Sequence, residues 1–129
     1  MRKILLDTDV LIEHLRNNQK VTQQILELHQ DPQVTLSYTP VTEAEIIRGL
    51  RSHERQKTEK ALSYFDVISV TKEIGRVAGN YLRKYASSHG LQIADALIAA
   101  VASIHNLSLC TFNLKHYPMQ DIQHYHMER

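Results

Sequence analysis

"LLDTDVLI", residues 5–12, sets two carboxylates, Asp7 and Asp9, inside an otherwise apolar run. A soluble core does not accept such groups freely. An isolated buried carboxylate either costs several kcal/mol or shifts its pKa. The apolar half of the stretch, "KILL" (3–6), is short enough to read as a buried strand. Residues 9–17 then read as a helix, with Val10, Leu11, His14 and Leu15 on one side. The acids therefore fall where a strand ends and a helix begins.

The same alternation continues along the chain. "VTQQILELH" (21–29) has Val21, Ile25 and Leu28 at helical spacing, and "DP" at 31–32 closes it. "VTLSY" (34–38) is β-branched and alternating, a strand. A helix is predicted from Thr42 to about Leu50, and a surface helix over 52–65. "DVISV" (66–70) reads as a strand, and Thr71 opens a long helix that Gly90 caps. "IADALIAAVASIH" (93–105) is apolar almost all round, which predicts a central buried helix. "LSLCTF" (107–112) and "DIQHY" (121–125) read as further strands. Strands alternating with helices argue for an α/β fold, with a parallel sheet covered on both faces. Ligands in such folds bind beyond the carboxyl ends of the strands.

Composition bounds the function. A chain of 129 residues, 43% hydrophobic and 22% charged, suits one domain over 1–129 with a real core. Its net charge of +1 excludes a strongly basic nucleic-acid binder, but not a nuclease that meets phosphate through cations. Cys110 is the single cysteine, so no disulfide forms within the chain, which fits a reducing cytoplasm. The apolar start of "MRKILL" is interrupted at Asp7, too early for a signal peptide. No apolar run approaches the roughly 20 residues of a membrane helix. The expectation is a soluble, untargeted protein with no membrane partner.

Three acids occupy comparable places in this framework. Asp7 lies just past the first strand, Glu45 in the predicted first turn of the helix after the second, and Asp95 in the first turn of the buried helix. Each has a plain reading as a helix-start residue. Asp7 serves as an N-cap, with Thr8 sharing that job, Thr42-x-x-Glu45 forms a capping box, and Asp95 favours a helix dipole. Capping alone does not explain an acid at three entrances to one sheet edge, nor a carboxylate on so apolar a helix. Clustered carboxylates repel unless a cation sits between them, and oxygen-rich sets of this kind suit Mg²⁺ or Mn²⁺. Asp9 reads as an accessory acid.

"ILLDTDVLIEHL", "TPVTEAEIIRGL", "IADALIAAVA" and "LCTFNLKHYP" resemble, in order, the four sequence blocks of PIN-domain ribonucleases, above all the VapC-type toxins of toxin–antitoxin pairs. The resemblance covers nearly the whole chain. It implies a PIN-like three-layer α/β/α sandwich with a central, mainly parallel sheet. It places the family's first three acids on Asp7, Glu45 and Asp95, as catalytic and metal-binding residues. Asp7 and Asp95 are the expected direct ligands, and Glu45 a ligand or the orienter of the attacking water. The last block usually runs Thr-x-Asn-x-x-Asp-Phe; here Thr111, Asn113, His116 and Tyr117 fill it, so His116 replaces the fourth acid. Thr8, Asp9, Thr111, Asn113 and His116 are accordingly accessory. The resemblance further implies an endoribonuclease that hydrolyses RNA with Mg²⁺ or Mn²⁺ through metal-activated water. A homodimer and a cognate antitoxin that blocks the site are implied with it. A degenerate PIN domain that binds RNA or antitoxin without cutting is the main alternative.

The remaining features weigh less. "RGLRSHERQKTEK" (48–60) reads mostly as a solvated face, with Glu54 and Glu59 among its cations. Arg48 and Arg51, nearest the site, are the candidates for RNA phosphate contact. His124 and His126 would share one face of a strand, but a third zinc ligand is missing. Cys110 reads as core. Asp7-Thr8-Asp9-Val10-Leu11 also resembles the nucleophile loop of haloacid-dehalogenase-type phosphatases, a family that needs a distal acidic pair, commonly Gly-Asp. No Gly-Asp occurs here.

Overall fold

Alternation along β1 (Arg2–Leu6) decides the layers. In the computed structural model, which describes residues 1–129, Ile4, Leu5 and Leu6 are all fully buried. Ile4 and Leu6 pack into one core and Leu5 into another. Successive strand side chains point to opposite faces, so β1 is covered on both sides. The first core takes Val10 and Leu11 from α1 (Thr8–Leu15), Val21 and Ile25 from α2 (Gln19–Gln30), Ile46 from α3 (Pro40–Gly49) and Leu62 from α4 (Arg55–Leu62). The second is built by α5 (Lys72–His89) and α6 (Ile93–Ile104), through Ile74, Ala78, Tyr81 and the run Ala96–Ala102. The result is the expected α/β/α sandwich.

The sheet has the order β3-β2-β1-β4-β5 and every neighbouring pair is parallel. Its other strands are β2 (Val34–Tyr38), β3 (Asp66–Val67), β4 (Ser108–Cys110) and β5 (Gln123–His124). The chain leaves β1 toward β2 on one side and returns to β4 on the other. A crevice opens at such a switch point, beyond the carboxyl ends of the strands.

Several sequence expectations shift. The helix after β2 begins at Pro40, not Thr42. Thr39 is its N-cap, its hydroxyl accepting from Thr42 N at 3.3 Å. Proline suits the first helical position because its missing N–H is unpaired there anyway. The Thr42–Glu45 capping box therefore does not form, and Glu45 stands in the second turn. Glu43 is the first-turn acid instead, and accepts from Tyr38 Oη at 2.8 Å. The surface segment 52–65 splits into a 3₁₀ turn (Ser52–Glu54) and α4. The outer strands are shorter than their apolar runs, because only part of each run meets a neighbour to bond. Gly90 caps α5 at φ 64°, as expected. Cys110 is buried in the core. His124 and His126 do not share a strand face. β5 ends at His124, and the following residues turn toward α2, where Gln24 bonds both the N–H and the carbonyl of Glu128.

Candidate active site

The switch point lies between β1 and β4, and the two segments that leave it are bonded directly. Asp7 N donates to Cys110 O at 2.9 Å. This brings Asp7 beside Thr111 across more than a hundred residues of chain. Asp7 is only 7% exposed. Its Oδ2 accepts from Thr111 Oγ1 at 2.8 Å and from Tyr117 Oη at 2.9 Å, and its Oδ1 accepts from Thr8 N at 2.8 Å. Asp7 is also the N-cap of α1, so the capping reading and the clustering reading hold together. Burial first, and the neighbouring Asp9 charge second, push its carboxyl up to about 6 despite those three bonds.

Asp9 turns away from a free role. Its Oδ2 accepts from Phe112 N at 3.0 Å and Asn113 Nδ2 at 3.2 Å, so it ties the segment after β4 to α1. Its other oxygen, Oδ1, is buried without a hydrogen-bond partner. Burial raises its pKa, and the Phe112 and Val10 N–H groups and the Arg129 charge oppose that rise.

Glu45 is drawn in through threonines. Thr8 Oγ1 donates to Glu45 Oε1 at 2.6 Å and lies 2.9 Å from Thr42 Oγ1. One turn of α1 thereby holds one turn of α3. Asp95 is half-buried in the first turn of α6. Its carboxyl is raised chiefly by burial. The His116 charge and the Gln92 N–H oppose this, Glu45 adds to it, and the Tyr117 hydroxyl favours the ionised form. His116 sits at the end of a 3₁₀ turn (Leu114–His116) that brings it to Asp95. Tyr117 is 4% exposed, and its hydroxyl is pushed upward by burial, then by Asp7 and Asp95.

Asp7, Asp9, Glu45 and Asp95 thus form one cluster: Asp7 feels the Asp9 charge, Asp95 feels that of Glu45, and the Tyr117 hydroxyl joins Asp7 to Asp95. No three of the His, Cys, Asp and Glu side chains alone close into a tight cage. The donors fit a Mg²⁺-like ion nonetheless. Such an ion takes oxygen ligands, needs only one or two carboxylates and keeps several waters. Three of the acids have pKa values raised chiefly by burial, and a buried Asp9 oxygen lacks any hydrogen-bond partner. A cation offsets both features.

Arg48 and Arg51 are both exposed. Arg51 shares with Glu45 the lining of a cleft of about 340 Å³, which continues along Ile12, Arg16 and His53; Arg48 does not line it. Two contributors lie outside the site residues expected from sequence: Tyr117, which bonds Asp7, and Thr42, expected only as a helix cap, which joins Thr8. Tyr117 stands inside the last motif, so its position was visible. Its aim at Asp7 depends on the 3₁₀ turn before it.

The fold, the switch-point acids and their order along the chain define a class of protein. The PIN domain family model matches residues 4–120, and the chain belongs to that family. The phosphatase reading falls with this assignment. Over 117 residues the chain is 38% identical to "Ribonuclease VapC10" of Mycobacterium tuberculosis (strain CDC 1551 / Oshkosh), covering 90% of this chain and 86% of that protein. It is 32% identical over 116 residues to "Ribonuclease VapC19" of the same strain, covering 89% and 92%. Among solved structures, a toxin–antitoxin complex from Klebsiella pneumoniae superposes with a TM-score of 0.73 at 28% identity, over 91% of this chain and 92% of that one.

Proposed function

We propose that this chain is a PIN-domain endoribonuclease, the toxin of a toxin–antitoxin pair, and that it hydrolyses RNA with Mg²⁺ or Mn²⁺ held by Asp7 and Asp95. The observation that carries this reading is Asp7 itself: a buried carboxylate at the switch point, fixed by Thr111 and Tyr117 and facing further acids. The ribonuclease relatives support the reaction, and the antitoxin-bound structural neighbour supports the partner. When bound, the cation activates water and stabilises charge developing on the scissile phosphate.

The chain's own residues prepare that chemistry. Thr111 and Tyr117 orient the Asp7 carboxylate by hydrogen bonds that favour its ionised form. Asp9 and Asn113 lock the loop that carries Thr111. Thr8 holds one oxygen of Glu45, leaving the other to bind the cation or orient the attacking water. His116 stands at the fourth-acid position of the motif, and its imidazole favours the ionised form of Asp95. Arg48 and Arg51 contact phosphates flanking the cleavage site. The active unit is a homodimer spanning 1–129 in each copy, and it works in the cytoplasm. No helix is long and apolar enough to cross a membrane.

The test is cleavage of a structured RNA by purified protein. Cutting should require Mg²⁺ or Mn²⁺, stop with EDTA, and be lost in Asp7→Asn and Asp95→Asn. Activity that survives EDTA or both substitutions overturns the metal-nuclease reading. Tight RNA binding without cutting under any divalent cation identifies a degenerate binding domain instead.

A further inference from the structure

Charge is unevenly distributed on this molecule. The whole chain nets +1, yet α5 alone carries Lys72, Arg76, Arg83 and Lys84 against the single carboxylate Glu73, a net +3. The rest of the protein is therefore net negative. At about 100° per residue, Lys72, Arg76 and Arg83 fall within about 40° of each other. They lie directly opposite the buried Ile74, Ala78 and Tyr81, and all three are exposed. The stripe is about 16 Å long at 1.5 Å per residue.

Three details separate this stripe from an ordinary solvated face. First, its cations are free. The ion pairs of the molecule are Lys20–Glu128, Arg55–Glu59 and Arg129–Glu13, and none involves α5. Second, Gly75 and Gly79 lie beside the stripe within the helix, where glycine is unfavourable. A Cβ on either would meet nothing within 4 Å, so packing does not require them. They leave bare backbone along the cationic row, a surface that admits close approach by a ligand. Third, the helix leads through Gly90 and Gln92 directly into α6 and Asp95.

We infer that the outer face of α5, through Lys72, Arg76 and Arg83, is a docking track for the phosphate backbone of the RNA that enters the site. This rests on the nuclease reading above. A polyanion complements three unpaired cations and releases its counterions on binding. A second copy that placed this stripe across its own two-fold axis would oppose like charges.

The experiment measures binding of a fluorescein-labelled, 20-nucleotide single-stranded RNA by anisotropy across 0.05–0.3 M NaCl, with Ca²⁺ in place of Mg²⁺. The wild type is compared with Lys72→Gln/Arg76→Gln/Arg83→Gln. A charge-matched control, Arg55→Gln/Lys57→Gln/Lys60→Gln, removes as many cations from α4. Loss of three phosphate contacts should weaken binding by about tenfold or more at low salt. It should also flatten the slope of log K against log salt by about 2. The α4 control should bind like wild type, and circular dichroism should show both variants folded. Equal binding by wild type and the α5 variant, or equal loss in the two variants, overturns the track and leaves the nuclease reading standing. Unchanged RNA affinity with a change of oligomeric state in light scattering assigns the face to a second copy instead. A wild type that neither binds nor cuts RNA removes the nuclease reading, and the track with it.

Discussion

At neutral pH Asp7 is ionised in a place that favours its neutral form, and this has a measurable sign. Its carboxyl titrates near 6 in the folded protein, against an ordinary value of 3.8. Between those values the folded chain holds a proton that the unfolded chain has released. Metal-free stability should therefore fall as pH rises from about 4 to 6, then level off. The displacement corresponds to about 3 kcal/mol. Asp7→Asn should raise the melting temperature of EDTA-treated protein at pH 7.5, and the gain should vanish near pH 4; a lower melting temperature at pH 7.5 contradicts the assignment. Asp9 behaves differently, because it accepts from Phe112 N and Asn113 Nδ2. Asp9→Ala strands those donors and should cost about 1–3 kcal/mol in urea unfolding, whereas Asp9→Asn keeps an acceptor and should cost less.

At the scale of elements, the site depends on how two helices start. α1 begins at Thr8 because Asp7 caps it, and α3 begins at Pro40 because Thr39 caps it. Those starting points set Thr8 against Thr42 and Glu45. Removing the Thr8 hydroxyl should free Glu45 while leaving both helices intact. Thr8→Val strands the Glu45 carboxylate and the buried Thr42 hydroxyl, so it should cost about 1–3 kcal/mol of folding stability and weaken Mn²⁺ binding by about 10–100-fold, the usual penalty for losing a ligand's supporting bond. Calorimetric titration with Mn²⁺ reads this directly. An unchanged affinity would remove Glu45 from the cation's surroundings.

For the whole molecule, the parallel sheet brings distant acids together, and the cost is chiefly the burial of their carboxylates, with mutual repulsion adding to it at Asp7 and Asp95. A cation that binds only the folded state stabilises it by mass action, by about 2.7 kcal/mol at a hundredfold excess over Kd. Thermal unfolding should therefore shift upward with Mn²⁺ or Mg²⁺ in wild type and stay flat in Asp7→Asn. An equal shift in both proteins would locate the cation elsewhere.

Periodicity and punctuation in the sequence already determined much of this protein. The strand–helix alternation, the buried "IADALIAAVA" helix and the acids at strand ends were readable because burial and side-chain period are local properties. The starting point of α3 was less readable, since Thr39 and Thr42 are both competent caps and Pro40 decides between them. The tertiary structure alone decided the division of labour in "LLDTDVLI". Both acids look alike in sequence. Asp7 N pairs with Cys110 O and turns its carboxylate toward Thr111 and Tyr117, whereas Asp9 is used to fasten Phe112 and Asn113. That choice depends on bonds between residues a hundred positions apart, which no local pattern encodes.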